Sequence, residues 1–138
     1  MTSNAFKQTV LDCISTEKTR LFQDALTIAN SFWEAQEVSK KSDNKKELTF
    51  IGTRVRLVRT SFVCEWYRTR TGINAKTGKR YVFSRYIPMT KKHHYSMTQF
   101  SQEPAWAQQM ILYYEEQYRI IRERYEVLNK MERMLKKY

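Results

Sequence analysis

Glycine and proline are nearly missing: the 138-residue chain has three of one and two of the other. These residues supply most tight turns and helix breaks. Their scarcity argues against a loop-rich, many-stranded architecture and for long uninterrupted elements. Cysteine is equally sparse. Cys13 and Cys64 fall in segments that read as different elements. Two reduced, half-buried thiols suit the expected reducing compartment better than a disulfide, although a bridge between them stays open. No apolar run approaches the roughly 20 residues that span a bilayer. Met1–Lys7 lacks the basic-then-apolar order of a signal peptide. A cytoplasmic protein with no membrane partner is expected. Aromatics, by contrast, make up 14% of the chain, too many for a disordered one, and the length suits a single domain, 1–138, with a modest core.

The most telling scarcity is local. From Arg54 to Lys92 there is a single acid, Glu65, against eleven Lys and Arg, a balance of +10. Residues 1–53 hold seven bases and seven acids, and residues 93–138 seven and six. The net charge of +11 is therefore concentrated in the middle of the chain. A focused positive field between near-neutral segments suits a polyanionic partner, because each neutralised phosphate releases condensed counterions.

The flanks have helical periodicity. Phe6, Val10, Cys13/Ile14, Leu21, Ala25, Ile28 and Phe32 form one stripe, predicting an amphipathic helix over 3–38 with Thr2 or Ser3 as its cap. Residues 39–47 contain no apolar side chain and read as a polar linker. Near the other end, the motif Ser101-Gln102-Glu103-Pro104 looks like a helix start, predicting a helix over 101–137. Within it Ala107, Ile111, Tyr114, Tyr118, Ile121, Tyr125, Leu128 and Leu135 follow a four-three spacing broken only at Glu132. That coiled-coil-like seam is expected to pack on the first helix, with a homodimer through the same helix as the alternative.

Residues 48–88 change period. Runs of β-branched and aromatic residues at 50–58, 62–70 and 80–87 read as antiparallel strands, with a hairpin loop at 71–79. The Arg59-Thr60-Ser61 junction is weak turn chemistry, so the first two strands are also compatible with one long bent strand. The fold class expected is α+β: two long amphipathic helices packed together, with a small basic antiparallel sheet inserted between them.

On that sheet Arg54 and Arg56 share a strand face, as do Arg68 and Arg70. Lys76, Lys79 and Arg80 crowd the hairpin tip, and Arg85, Lys91 and Lys92 follow. These ten are the candidate nucleic-acid contacts, expected to face outward as one plate. A two- or three-stranded ribbon fits the major groove, and arginine's planar fork matches guanine edges and phosphates. Tyr67 and Tyr86 are candidate base-stacking residues, with Tyr81 and Tyr95 interleaved. Trp66 and Phe83 are expected in the core.

No catalytic centre assembles. Gly72–Arg80 superficially evokes a phosphate-binding loop. However, five residues separate its glycines, Arg80 stands where Ser or Thr must hold magnesium, and a strand follows. His93-His94 lacks partners at ligand spacing, so neither metal nor cofactor is expected. A non-enzymatic binding protein is the reading.

The stretch Ser84-Arg85-Tyr86-Ile87-Pro88, then Tyr95-Ser96-Met97, Phe100, Trp106 and a Tyr/Glu/Arg-rich last helix resembles the MobI-type proteins of conjugative elements. The resemblance covers roughly the last two-thirds of the chain. It implies an auxiliary factor that binds double-stranded DNA at an origin of transfer and helps a separate relaxase start transfer. It carries over no catalytic residue. Two alternatives remain: a single-stranded DNA or RNA binder stacking bases on Tyr67, Tyr81 and Tyr86, and a coiled-coil adaptor whose basic sheet meets an acidic protein.

Overall fold

The computed structural model describes residues 2–42 and 49–138. Helix α1 spans Thr2–Ser42, strands β1, β2 and β3 span Ile51–Val58, Ser61–Ile73 and Arg80–Tyr86, and helix α2 spans Ala105–Lys136. The protein is thus α+β in the order helix, three-stranded antiparallel sheet, helix.

Several boundaries differ from expectation. Helix α1 takes in Thr2 and Ser3 and runs through Ser39–Ser42, which had been read as linker. With no Gly or Pro to stop it, each added residue gains a backbone hydrogen bond, and lysine is a good helix former. The rest of the expected linker, 43–47, lies outside the described residues. Helix α2 starts at Ala105 with Pro104 as its N-cap. A single 3₁₀ turn at Met97–Phe100 precedes it, and Ser101 ends that turn instead of opening the helix. The junction of the first two strands is a hairpin, not a bend: Val58 pairs with Ser61, and Arg59 adopts φ 56°. A left-handed residue at the first corner suits the twist of a two-residue hairpin. The register it sets aligns the apolar residues of both strands.

The two helices run antiparallel. Tyr114 Oη donates to the Ser31 carbonyl at 3.1 Å, and Lys18 reaches Asn129 and Glu132. Ile14, Leu21, Ala25, Ile28 and Phe32 of α1 are buried, as are Ala107, Ile111, Tyr114, Tyr118 and Ile121 of α2. The α2 seam is therefore occupied by the chain's own α1 and sheet. Tyr125 and Leu128 pack at its margin. Phe6 and Cys13, expected on the α1 stripe, are exposed; at the Cys13/Ile14 position it is Ile14 that turns inward and is buried. Cys13 and Cys64 are unbridged.

Trp66 is the centre of the core. It is fully buried, with edge-on contacts to Phe32 at 5.2 Å, Tyr118 at 5.8 Å and Phe100 at 6.0 Å. Aromatic pairs in this geometry add to the gain from burial alone. The sheet edges beside the core are closed by side chains. Trp33 Nε1 and Gln36 Nε2 of α1 each donate to β1 carbonyls, those of Thr53 and Ile51, at 3.1 Å. On the far side Arg122 donates to the Cys64 carbonyl at 2.8 Å.

Strand β2 is the longest of the three, and its two halves have different neighbours. Ser61–Arg68 pair with β1, whereas Tyr67–Ile73 pair with β3. The helices cover the first half. In the second half, β3 is exposed or half-buried along its whole length. Residues 69–84 therefore form a two-stranded arm standing clear of the core, about 17 Å long for five residue pairs before its loop.

Candidate nucleic-acid interface

Strand parity and register decide which face each cation occupies. Cross-strand partners share a face, so Trp66 and Cys64 mark the helix side together with Thr53, Val55, Ile51 and Arg68. Arg54, Arg56, Glu65 and Tyr67 lie on the opposite, outer face. Across β3, Arg85 pairs with Arg68, and Phe83 with Arg70, which puts both arginines on the helix-side face. The expected single plate is corrected: Arg54, Arg56 and Arg80 point one way, and Arg68, Arg70 and Arg85 the other. Parity within one strand is legible in sequence, but the phase between strands depends on the two-residue turn at Arg59.

Several of these cations also have carboxylate partners. Arg54 Nε donates to Glu65 Oε1 at 2.5 Å and Arg56 Nε to the same oxygen at 2.9 Å. Burial pushes the Glu65 carboxyl upward, but the hydrogen bonds and charges of Arg56 and Arg54 outweigh it and hold the group below its usual range. Arg68 meets Glu103 at 3.5 Å, and Lys92 meets Glu126 at 3.2 Å. By contrast Arg70, Lys76, Lys79, Arg80, Arg85 and Lys91 form no ion pair among the described residues. Five of these six lie between Arg70 and Arg85, on the arm or its base, and no acid occurs from Trp66 to Gln102.

The arm's tip is held in shape. The Asn74 carboxamide oxygen accepts from the backbone N–H of Lys76 at 2.8 Å and of Thr77 at 3.2 Å. Asn74 N–H donates to the Lys79 carbonyl at 2.9 Å, and Gly78 adopts φ 70°, a conformation glycine takes without steric cost. The lysines thus project from a defined loop.

Among the aromatics, Trp66 is core as expected, but Phe83 is not. It is half-buried on the arm beside Tyr81, at 5.7 Å between ring centres, because no helix reaches over β3. Tyr67 lies across Gly52, where an added Cβ would come within 2.5 Å of its ring, and Arg54 stacks on it at 5.4 Å. That engagement reduces its availability to a base. Tyr86, its cross-strand partner, is 49% exposed and Tyr81 50%. Tyr95 is buried, with its hydroxyl accepting from the Trp66 N–H at 3.4 Å, so it offers no stacking surface.

Sequence reasoning missed the buried pair Glu115–Arg122. Glu115 accepts from Trp66 Nε1 at 3.0 Å, from the Tyr95 N–H at 2.8 Å and from Arg122 at 2.8 Å. The two residues are seven apart on α2, alongside the Tyr114–Tyr118–Ile121 seam. That heptad spacing was the available signal. The pair clamps the segment after β3 onto α2 and so fixes the root of the arm.

Other chemistry is weakly provided for. A cavity of 240 Å³ beside β2, lined by Phe62, Cys64, Tyr95 and Tyr125 among others, falls below the size at which small-molecule pockets begin. Burial pushes the Cys64 thiol up to about 12, which keeps it protonated near neutral pH. His93 contacts Glu126, and His94 Nδ1 lies 3.1 Å from the Lys92 carbonyl. Among the described residues no cluster of His, Cys, Asp or Glu is arranged to hold a metal ion, and no helix is long and apolar enough to cross a membrane.

Fold and surface together define a helix–sheet–helix protein that presents a cationic β-arm. The chain belongs to the MobI protein family, whose model matches residues 21–136. The match takes in the second half of α1 as well as the last two-thirds of the chain. No curated protein and no solved structure matches it.

Proposed function

We propose that this protein is a non-enzymatic, cytoplasmic, double-stranded DNA-binding accessory factor. In this reading it acts at the origin of transfer and helps a relaxase begin conjugative transfer. One observation carries the reading: a β-arm whose cations lack carboxylate partners among the described residues, on a sheet whose Arg54, Arg56 and Arg68 are each held by a carboxylate. Unpaired cations are the ones whose charge a phosphate backbone can use. Membership of the MobI family supports the mobilisation setting.

The test is binding of labelled duplexes tiled across the DNA around the protein's own reading frame, each against mixed-sequence competitor. Preferential binding to one tile containing a transfer origin supports the reading. Equal, salt-insensitive binding to all tiles contradicts it. Tyr81 and Tyr86, both about half exposed, favour a second reading in which bases of an unpaired strand stack on the arm. Competition between single- and double-stranded oligonucleotides at matched salt separates the two.

A further inference from the structure

Just below its tip loop the arm carries two aliphatic side chains that contribute nothing to the core. Ile73 is 66% exposed and Val82 69%. The pairs Thr71–Val82 and Ile73–Arg80 make them diagonal neighbours on the outer face of the ribbon. Such neighbours lie within about 7–8 Å, so they form one small apolar knob. Arg80 stands directly across from Ile73 on the same face, and the tip loop with Lys76 and Lys79 is adjacent. The far side of the ribbon carries Tyr81, packed over Gly72, and Phe83.

We propose that this arm enters the minor groove of duplex DNA and wedges Ile73 and Val82 against the base stack, bending the duplex. The inference rests on the DNA-binding reading and specifies what the arm does there. Arg80 beside the knob, Lys76 and Lys79 at the tip and Arg70 on the reverse face give the arm unpaired cations for the phosphates of a groove, while an aliphatic knob has no hydrogen-bonding fork for base edges. A ribbon reading the major groove needs several such forks on its groove-facing side, and between Thr69 and Ser84 that face carries one arginine, Arg80. Apolar wedges entered from the minor groove instead unstack a base step and kink the helix. The arm has the stiffness for this, since its loop is hydrogen-bonded across Asn74 and Lys79. The unstacking cost is lowest at flexible pyrimidine–purine steps, which gives the wedge a sequence preference without base hydrogen bonds.

The experiment measures end-to-end energy transfer on doubly labelled duplexes of about 30 base pairs, one with a central TA step and one with a central A-tract. It compares the unaltered protein, Ile73→Ser with Val82→Ser, and Arg70→Ala with Lys79→Ala. The unaltered protein is expected to bend the TA duplex by about 20–90° and the A-tract duplex less. The Ile73/Val82 variant should keep the salt dependence of binding and lose the bend; both side chains are already exposed, so its fold should survive. The Arg70/Lys79 variant should lose affinity and salt slope. Binding without a bend, or an undiminished bend by the Ile73/Val82 variant, overturns the wedge and leaves DNA binding standing. Failure to bind either duplex, or tighter binding to phosphatidylserine vesicles than to DNA, overturns both.

Discussion

The root of the sheet and its arm are built from the same residue types, yet the cations of one are structural and those of the other are not. At the root, Arg54 and Arg56 share Glu65, Arg68 has Glu103, and Arg122 is clamped by Glu115. On the arm, Arg70, Lys76, Lys79 and Arg80 have no such partner among the described residues. The difference is the nearness of a carboxylate that the fold has already buried or half-buried. A charge run is therefore a poor guide to function until each cation's partner is known.

The largest effect should come from removing the carboxylate at the root. Glu115→Ala leaves the Arg122 guanidinium without its carboxylate partner, and the Trp66 indole N–H and the Tyr95 N–H without their acceptor. Breaking a buried ion pair on one side costs about 3–5 kcal/mol, to be read from urea unfolding. A loss under about 1 kcal/mol would show that the clamp does not hold the core together.

Next comes Glu65→Gln, expected to cost about 1–3 kcal/mol near neutral pH. Because the folded carboxyl titrates below its ordinary value of 4.5, the wild-type advantage is present above that value. It is lost as pH falls through the lower folded value. Unfolding curves for wild type and variant should therefore converge in acid, and curves that stayed parallel would remove Glu65 from the account.

On the arm, Arg70→Ala, Lys79→Ala or Arg80→Ala should change stability by no more than about 0.5 kcal/mol each. Thermal melts check this. A substantial loss for any one of them would place that side chain among the structural cations.

The period change from helix to strand to helix was legible in the sequence, because burial imposes it on every element. The buried face of α2 followed from Ala107, Ile111, Tyr118 and Ile121 in the same way. What the sequence concealed were relations between distant residues. Whether Arg56 and Arg68 share a face depends on the register set at Arg59. Whether Arg68 is neutralised depends on Glu103, 35 residues further along the chain. The length of β2 beyond the helices, which creates the arm, depends on where the core ends, and no local pattern records that. The exposure of Phe83 has the same origin.

The most direct measurement is the salt dependence of duplex binding for two variants, Arg54→Ala with Arg56→Ala and Arg70→Ala with Lys79→Ala and Arg80→Ala. Each lost phosphate contact lowers the slope of log affinity against log salt by about one. The arm variant should lose about three units of slope, and the root variant should stay close to wild type. A root variant that loses its slope while the arm variant keeps it would contradict the assignment of DNA binding to the arm.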